Sequence, residues 1–150
     1  SEVDSHPTLA EVLLNPTRIY VDPVVDRVLE SRRDGGVVGP ESIKAIAHIT
    51  GGGLSNLLRL HDSLGWHIDS PLEPQPEFQW ISDVGSIAPV EMNRTFNMGM
   101  GMVIAVSEDS SEVVEEWIRN RLPGSRRVGR VVDNGRLVTH SDPDVVFSHY

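Results

Sequence analysis

The order of patterns along the chain predicts an α/β domain with helices on both sides of several strands, and three stretches carry that expectation. Residues 43–50 read as a strand that breaks at three glycines and resumes at helical spacing. Residues 98–106 form a strongly apolar run followed by an amphipathic helical pattern over 110–121. Residues 127–132 and 136–139 are β-rich runs on either side of Asp133-Asn134-Gly135. With 150 residues, 39% of them hydrophobic, the chain is long enough for one well-buried core and short for two, so residues 1–150 read as a single domain.

Taken in order, the first element opens at Thr8-Leu9-Ala10-Glu11, a capping box in which Thr8 and Glu11 satisfy each other's free amides. It is expected to stop before Pro16, because a residue preceding proline is pushed out of the helical region. A second helix is predicted with Asp22 as its N-cap and Pro23 in its first position. Val24, Val25, Val28 and Leu29 make its apolar stripe, Asp26, Arg27, Glu30 and Arg33 face water, and Gly35-Gly36 ends it. The strand over 43–50 is apolar on both faces, as suits a sheet covered on both sides.

Leu54, Leu57, Leu58 and Leu60 then follow the glycines as a helix, and residues 66–69 read as a short strand. After Pro71, Pro74 and Pro76, the residues Phe78, Trp80, Ile81 and Val84 predict a helix ending at Gly85, and Pro89 starts another short one. Val113, Val114, Trp117, Ile118 and Leu122 mark the inner face of the last helix. Asn134-Gly135 supplies the positive φ of a hairpin turn, and the final residues, rich in Asp and Ser, read as a tail.

A net charge of −9 and a pI near 5.0 argue against a nucleic-acid surface, which needs a basic stripe to displace counterions. The absence of cysteine excludes disulfides, thiolate nucleophiles and sulfur-ligated metals, and the six histidines show no zinc-protease spacing, so no metal site is expected. No apolar run approaches a membrane span, and no membrane partner is expected.

Chemistry is expected first at Thr50-Gly51-Gly52-Gly53. Side-chain-free backbone there can approach an anion, as a phosphate or carboxylate cradle, or serve only as a tight turn. His48 shares a strand face with Ile46 and Thr50 and stands at the strand's C-terminal end, where open α/β sheets place ligands. A core histidine is the other reading. Asn97-Met98-Gly99-Met100-Gly101 is a second place of close backbone approach, either to a ligand or to a neighbouring helix. Arg18 and Arg94 stand beside apolar residues as partners for a carboxylate or an anionic ligand, and the methionines are expected to fill core gaps.

Three blocks together resemble the aminoimidazole ribonucleotide synthetases, the phosphoribosylformylglycinamidine cyclo-ligases. They are Pro16-Thr17-Arg18-Ile19-Tyr20-Val21, Ala45 through Leu54, and Glu91 through Met102, in the family's order, with Val128-Gly129-Arg130-Val131 similar to its closing strand. Two departures stand out. Asn93 sits where the family commonly has tyrosine, and Ser55-Asn56-Leu57-Leu58-Arg59 is one residue shorter than the family's run.

The resemblance implies an α/β (α+β type) fold, a three-layer α-β-α domain with a mixed sheet, forming most of the C-terminal domain of an enzyme about twice as long. A Ser-Asn-Gly-Tyr segment that opens that domain in the family is absent. It implies ATP-dependent ring closure of formylglycinamidine ribonucleotide to aminoimidazole ribonucleotide, with ATP and Mg2+ as cofactors. Most of the ATP-binding machinery and the homodimer contacts would lie in an N-terminal domain, the whole enzyme would be cytoplasmic, and this chain alone would be inactive.

By the same resemblance His48 lies in the interdomain cleft as the catalytic candidate. Thr50, Gly51, Gly52 and Gly53 hold a substrate anion, and Asn97 and Gly99 belong to the same cleft. Other ATP-using enzymes of this architecture remain as alternatives: thiamine-monophosphate kinase, selenophosphate synthetase and the amidotransferase of the preceding purine step. A non-catalytic nucleotide- or partner-binding domain remains beside them.

Overall fold

The structure, a computed structural model, describes residues 8–14, 16 and 18–150; His6 and Thr17 lie outside them. Helix α1 (Leu9–Leu13) begins with the expected capping box, Thr8 Oγ1 accepting from Glu11 N while Glu11 Oε2 accepts from Thr8 N at 2.8 Å. Helix α2 (Val21–Ser31) starts two residues earlier than predicted, with Tyr20 as N-cap and Asp22 inside the first turn.

The orientation of α2 also differs from the expected stripe. Arg27 is fully buried, paired with Glu30 and lying 4.8 Å from the Trp117 ring centroid, while Val25 and Leu29 are exposed. The guanidinium's planar face suits an aromatic surface, and its long stem packs like an apolar side chain. Periodicity alone counts Arg27 as polar and therefore outward.

Strand β1 (Ile43–His48) pairs antiparallel with β3 (Met102–Val106) as a two-stranded sheet. Ala47 and Ile49 point into the core, whereas Lys44 and His48 are exposed, so only one face of this apolar strand is fully covered. A 3-10 helix over Gly53–Arg59 replaces the predicted α-helix. Its residues 53–58 are all buried, so it runs through the core rather than over it. Helices α3 (Pro76–Gly85) and α4 (Pro89–Thr95) each carry proline in the first turn as expected, and the Phe78 and Phe96 rings meet at 5.3 Å. Helix α5 (Ser111–Arg119) buries only Val114 completely.

The second sheet is four-stranded and mixed, ordered β4-β2-β5-β6, with β2 at Gly65–Ile68, β4 at Arg130–Val132, β5 at Val138–His140 and β6 at Val146–Phe147. The α/β class and its mixed sheet are as expected, with the strands shared between two sheets.

The hairpin is a correction. β4 and β5 do not pair with each other, because β2 lies between them, antiparallel to β4 and parallel to β5. The Asp133-Asn134-Gly135 segment does turn with positive φ, 75° at Gly135 and 65° at Arg136. Its Asn134 Oδ1 accepts from Leu137 N, and the bend passes over Gly65 so closely that a Cβ there would strike Asn134 and the Leu137 carbonyl. Trp66 N then donates to Leu137 O at 2.8 Å. The predicted tail is a second correction. Val145 and Phe147 are buried in the core with Leu54, Leu57, Leu58, Trp66, Met100 and Val138.

Candidate functional site

His48 ends β1 on the exposed face, and its distinction among the described histidines is what it does not do. His61 Nδ1 accepts from Ser63 N and Leu64 N, and His67 Nδ1 is 2.8 Å from Thr139 Oγ1. His140 Nδ1 accepts from Asp142 N, and His149 Nδ1 is 3.1 Å from Ser148 Oγ. Each of these rings is engaged in a hydrogen bond. Desolvation, reinforced by His67 and opposed by Asp142, also holds the His140 pKa below the usual histidine value. For His48 the structure gives instead an edge contact with Tyr20, the ring centroids 6.2 Å apart at 62°. Among the described residues no hydrogen bond engages its nitrogens.

Tyr20 in turn explains a glycine. Its hydroxyl lies against Gly101, where a Cβ would strike it, and the Gly101 carbonyl accepts from Ile49 N at 2.9 Å. Tyr20, His48 and Gly101 come from stretches far apart in sequence, and β1–β3 pairing places His48 opposite Met102. One residue from each of the three blocks thus meets at one end of the two-stranded sheet.

The glycine loop follows at once. Gly53 N donates to Thr50 O at 2.9 Å, Ser55 Oγ donates to Gly52 O at 2.7 Å, and Asn56 Nδ2 reaches Gly53 O at 2.6 Å and Thr50 O and Gly51 O at 3.4 Å. Asn56 is thus the organiser of the loop, a role the sequence reading missed. Its only signal was a polar residue inside a leucine run. A trans peptide sets N–H opposite its C=O. The Gly51 and Gly52 amides share peptide planes with carbonyls drawn toward Asn56, so they point away from it. Two outward donors beside an exposed imidazole form an arrangement suited to an anion. Arg59, stacked on the Tyr150 ring at 3.4 Å, brings a cation to the same neighbourhood, since Tyr150 packs against Gly52.

Gly53 is different from its two neighbours. It is buried at φ 53°, its amide is used within the turn, and a Cβ would run into the Asn93 carbonyl. Gly53→Ala is expected to lower stability by about 2–3 kcal/mol, from left-handed strain plus overpacking. Gly51→Ala, with nothing within 4 Å of its Cβ, should be close to neutral. Urea unfolding of the pair checks this, and equal stability would show that Gly53 has room to relax.

Asn97 and Gly99 serve each other. Asn97 Oδ1 accepts from Gly99 N at 3.0 Å, Gly99 has φ 88°, and a Cβ there would strike the Glu73 carbonyl. They shape the turn leading to Gly101, and no hydrogen bond joins them to His48 or the glycine loop among the described residues. Arg18 donates to Pro123 O, and Arg94 lies 4.9 Å from the Phe147 ring centroid; among the described residues neither has an ion-pair partner. Met92 and Met100 are buried, as gap-filling methionines should be.

The domain family described as AIR synthase related protein, C-terminal domain, matches residues 1–142. A curated phosphoribosylformylglycinamidine cyclo-ligase of Methanopyrus kandleri is 40% identical over 148 residues, covering 95% of this chain and 40% of that protein. Those of Methanocaldococcus jannaschii and Crocosphaera subtropica are 41% and 40% identical, over 85% and 86% of the chain and 34% and 36% of their own lengths. The chain therefore spans about 40% of the length of such relatives. A chain in the crystal structure of a HypE-HypF complex shares the fold, with a TM-score of 0.57 and 21% identity over 87% of this chain and 42% of that one.

Proposed function

Because the chain belongs to the family of AIR synthase related proteins, C-terminal domain, we propose that it works as the C-terminal portion of an ATP-dependent cyclo-ligase. That enzyme closes formylglycinamidine ribonucleotide to aminoimidazole ribonucleotide, forming a C–N bond in purine biosynthesis. The observation that carries this reading is the meeting of Tyr20, His48 and Gly101 beside the outward amides of Gly51 and Gly52. The relatives at 40% identity carry the cyclo-ligase name, which favours this activity over the kinase, selenophosphate and amidotransferase alternatives.

In this reading His48 moves a proton or orients the substrate, and Thr50 with the Gly51 and Gly52 amides holds a substrate anion. Gly53 contributes by keeping the loop in place. Asn97 and Gly99 act through the turn that delivers Gly101 to Tyr20. Ring closure of this kind depends mainly on positioning and charge stabilisation.

ATP and Mg2+ would act in the full-length enzyme, a cytoplasmic homodimer. Among the described residues no group of three or more His, Asp or Glu side chains gathers as a metal site. No helix among the described residues is long and apolar enough to cross a membrane.

The test compares the full-length enzyme with this chain, each incubated with ATP, Mg2+ and formylglycinamidine ribonucleotide. The full-length enzyme should release ADP and the chain alone should stay at background. Steady turnover by the chain alone would overturn the domain reading, and no turnover by either would overturn the activity.

A further inference from the structure

The two sheets turn unpaired edges toward one cleft. Among the described residues β3 pairs with β1 alone, and β4 with β2 alone. The bonds from Ile49 N to Gly101 O and from Ser107 N to Ser42 O show which β3 residues face β1. Antiparallel ladders alternate, so the N–H and C=O of Met102, Ile104 and Val106 point the other way. In β2, Trp66 N and Ile68 O are both used on the β5 side, toward Leu137 and Ser141. Gly65 and His67 therefore face Val132 and Arg130 of β4, and the Val131 amide and carbonyl point away from β2.

Between these edges lies a cleft of about 620 Å³. Consecutive residues line it, 102–106 of β3 on one strand and 128–131 on the other. A strand shows consecutive residues at an edge and alternate ones at a face. Val114, Ile118 and Leu122 from the α5 region also line it, and the last two are only half-buried, as are Val103 and Val128. The buried Trp66 Nε1, on another lining residue, has no hydrogen-bond partner among the described residues. Open backbone edges in an apolar cleft are templates for a strand rather than a compact ligand, because only a strand satisfies both rows of donors and acceptors.

We propose that the slot between β3 and β4 accepts one extended, uncharged strand from the part of the full-length enzyme outside these 150 residues. It would join the two sheets into one seven-stranded sheet, ordered β1-β3-strand-β4-β2-β5-β6. This rests on the reading that the chain is one portion of a longer enzyme, whose relatives have about 60% of their length beyond the match. The strand is apolar on both faces because it meets Trp66 and Met100 from the core and Val114 and Ile118 from α5.

Amide hydrogen exchange tests the proposal on the chain alone and on the full-length enzyme. In the chain alone, the amides of Met102, Ile104, Val106 and Val131 should exchange about a hundredfold faster than those of Val103 and Ala105. In the full-length enzyme they should become as slow as their neighbours. Slow exchange already in the dilute chain, or fast exchange persisting in an enzyme that turns over, overturns the proposal. Protection that rises with the concentration of the chain alone assigns the slot to a second copy and overturns it as well. Loss of turnover with protection retained counts against the activity and not against the slot.

A paired substitution gives a second readout. Ile104→Pro removes an outward amide that β1 does not use, and edge strands tolerate proline there; Ile104→Ala controls for the side chain. Ile104→Pro should abolish protection of Val131 in the full-length enzyme, whereas Ile104→Ala should keep it. Equal protection in both variants overturns the proposal.

Discussion

His48→Ala in the full-length enzyme is expected to lower kcat/KM by roughly a hundredfold to ten-thousandfold, the range for loss of an acid–base group, while the unfolding midpoint stays near that of the parent. The side chain is exposed, and its contact is the edge of Tyr20, so its removal uncovers little apolar surface. Surface substitutions of this kind typically change stability by about 0.5 kcal/mol or less. If His48 orients substrate without moving a proton, the loss is smaller and falls on KM rather than kcat. Steady-state kinetics and thermal unfolding on the same preparation separate the cases. A sharp drop in midpoint with kcat/KM of the folded fraction intact would make His48 a structural residue and remove it from the site.

Phe147→Ala is expected to cost about 3–5 kcal/mol, as for other large-to-small changes in packed cores. That corresponds to a midpoint lowered by roughly 6–20 °C for a domain of this size. Phe147 is 1% exposed, its strand pairs with β5, and the Arg94 guanidinium lies over its ring. The substitution removes packing and the cation's aromatic surface together. Denaturant unfolding monitored by tryptophan fluorescence reads the change. A midpoint unchanged from the parent would show that β6 contributes nothing to the cooperative core. The exposed neighbour Val146 supplies the contrast, since Val146→Ala should have little effect.

Local chain chemistry sets the elements whose causes lie within a few residues. The capping box at Thr8 and Glu11, the proline starts of α3 and α4, and the glycine break after β1 act through local backbone sterics and short hydrogen bonds, and each is found in its expected place. The three blocks are legible for the same reason, being contiguous strings, and the family they resemble is the one the chain matches.

Which distant pieces meet depends on the packed core. Asn134-Gly135 specifies a turn, but whether β4 and β5 then pair depends on β2, more than sixty residues earlier, which enters between them. Arg27 reads as a surface charge until Trp117 and Glu30 are placed around it, and Phe147 reads as part of a polar tail until β5 and the leucine-rich 3-10 helix cover it. The candidate site is of this second kind. Its residues were each visible, but the contact of Tyr20 with His48 and Gly101, and the grip of Asn56 on the loop carbonyls, arise from packing partners that no local rule names. Turn and cap energies act over one or two turns of chain, whereas burial and strand pairing are settled by residues brought together only when the whole core closes.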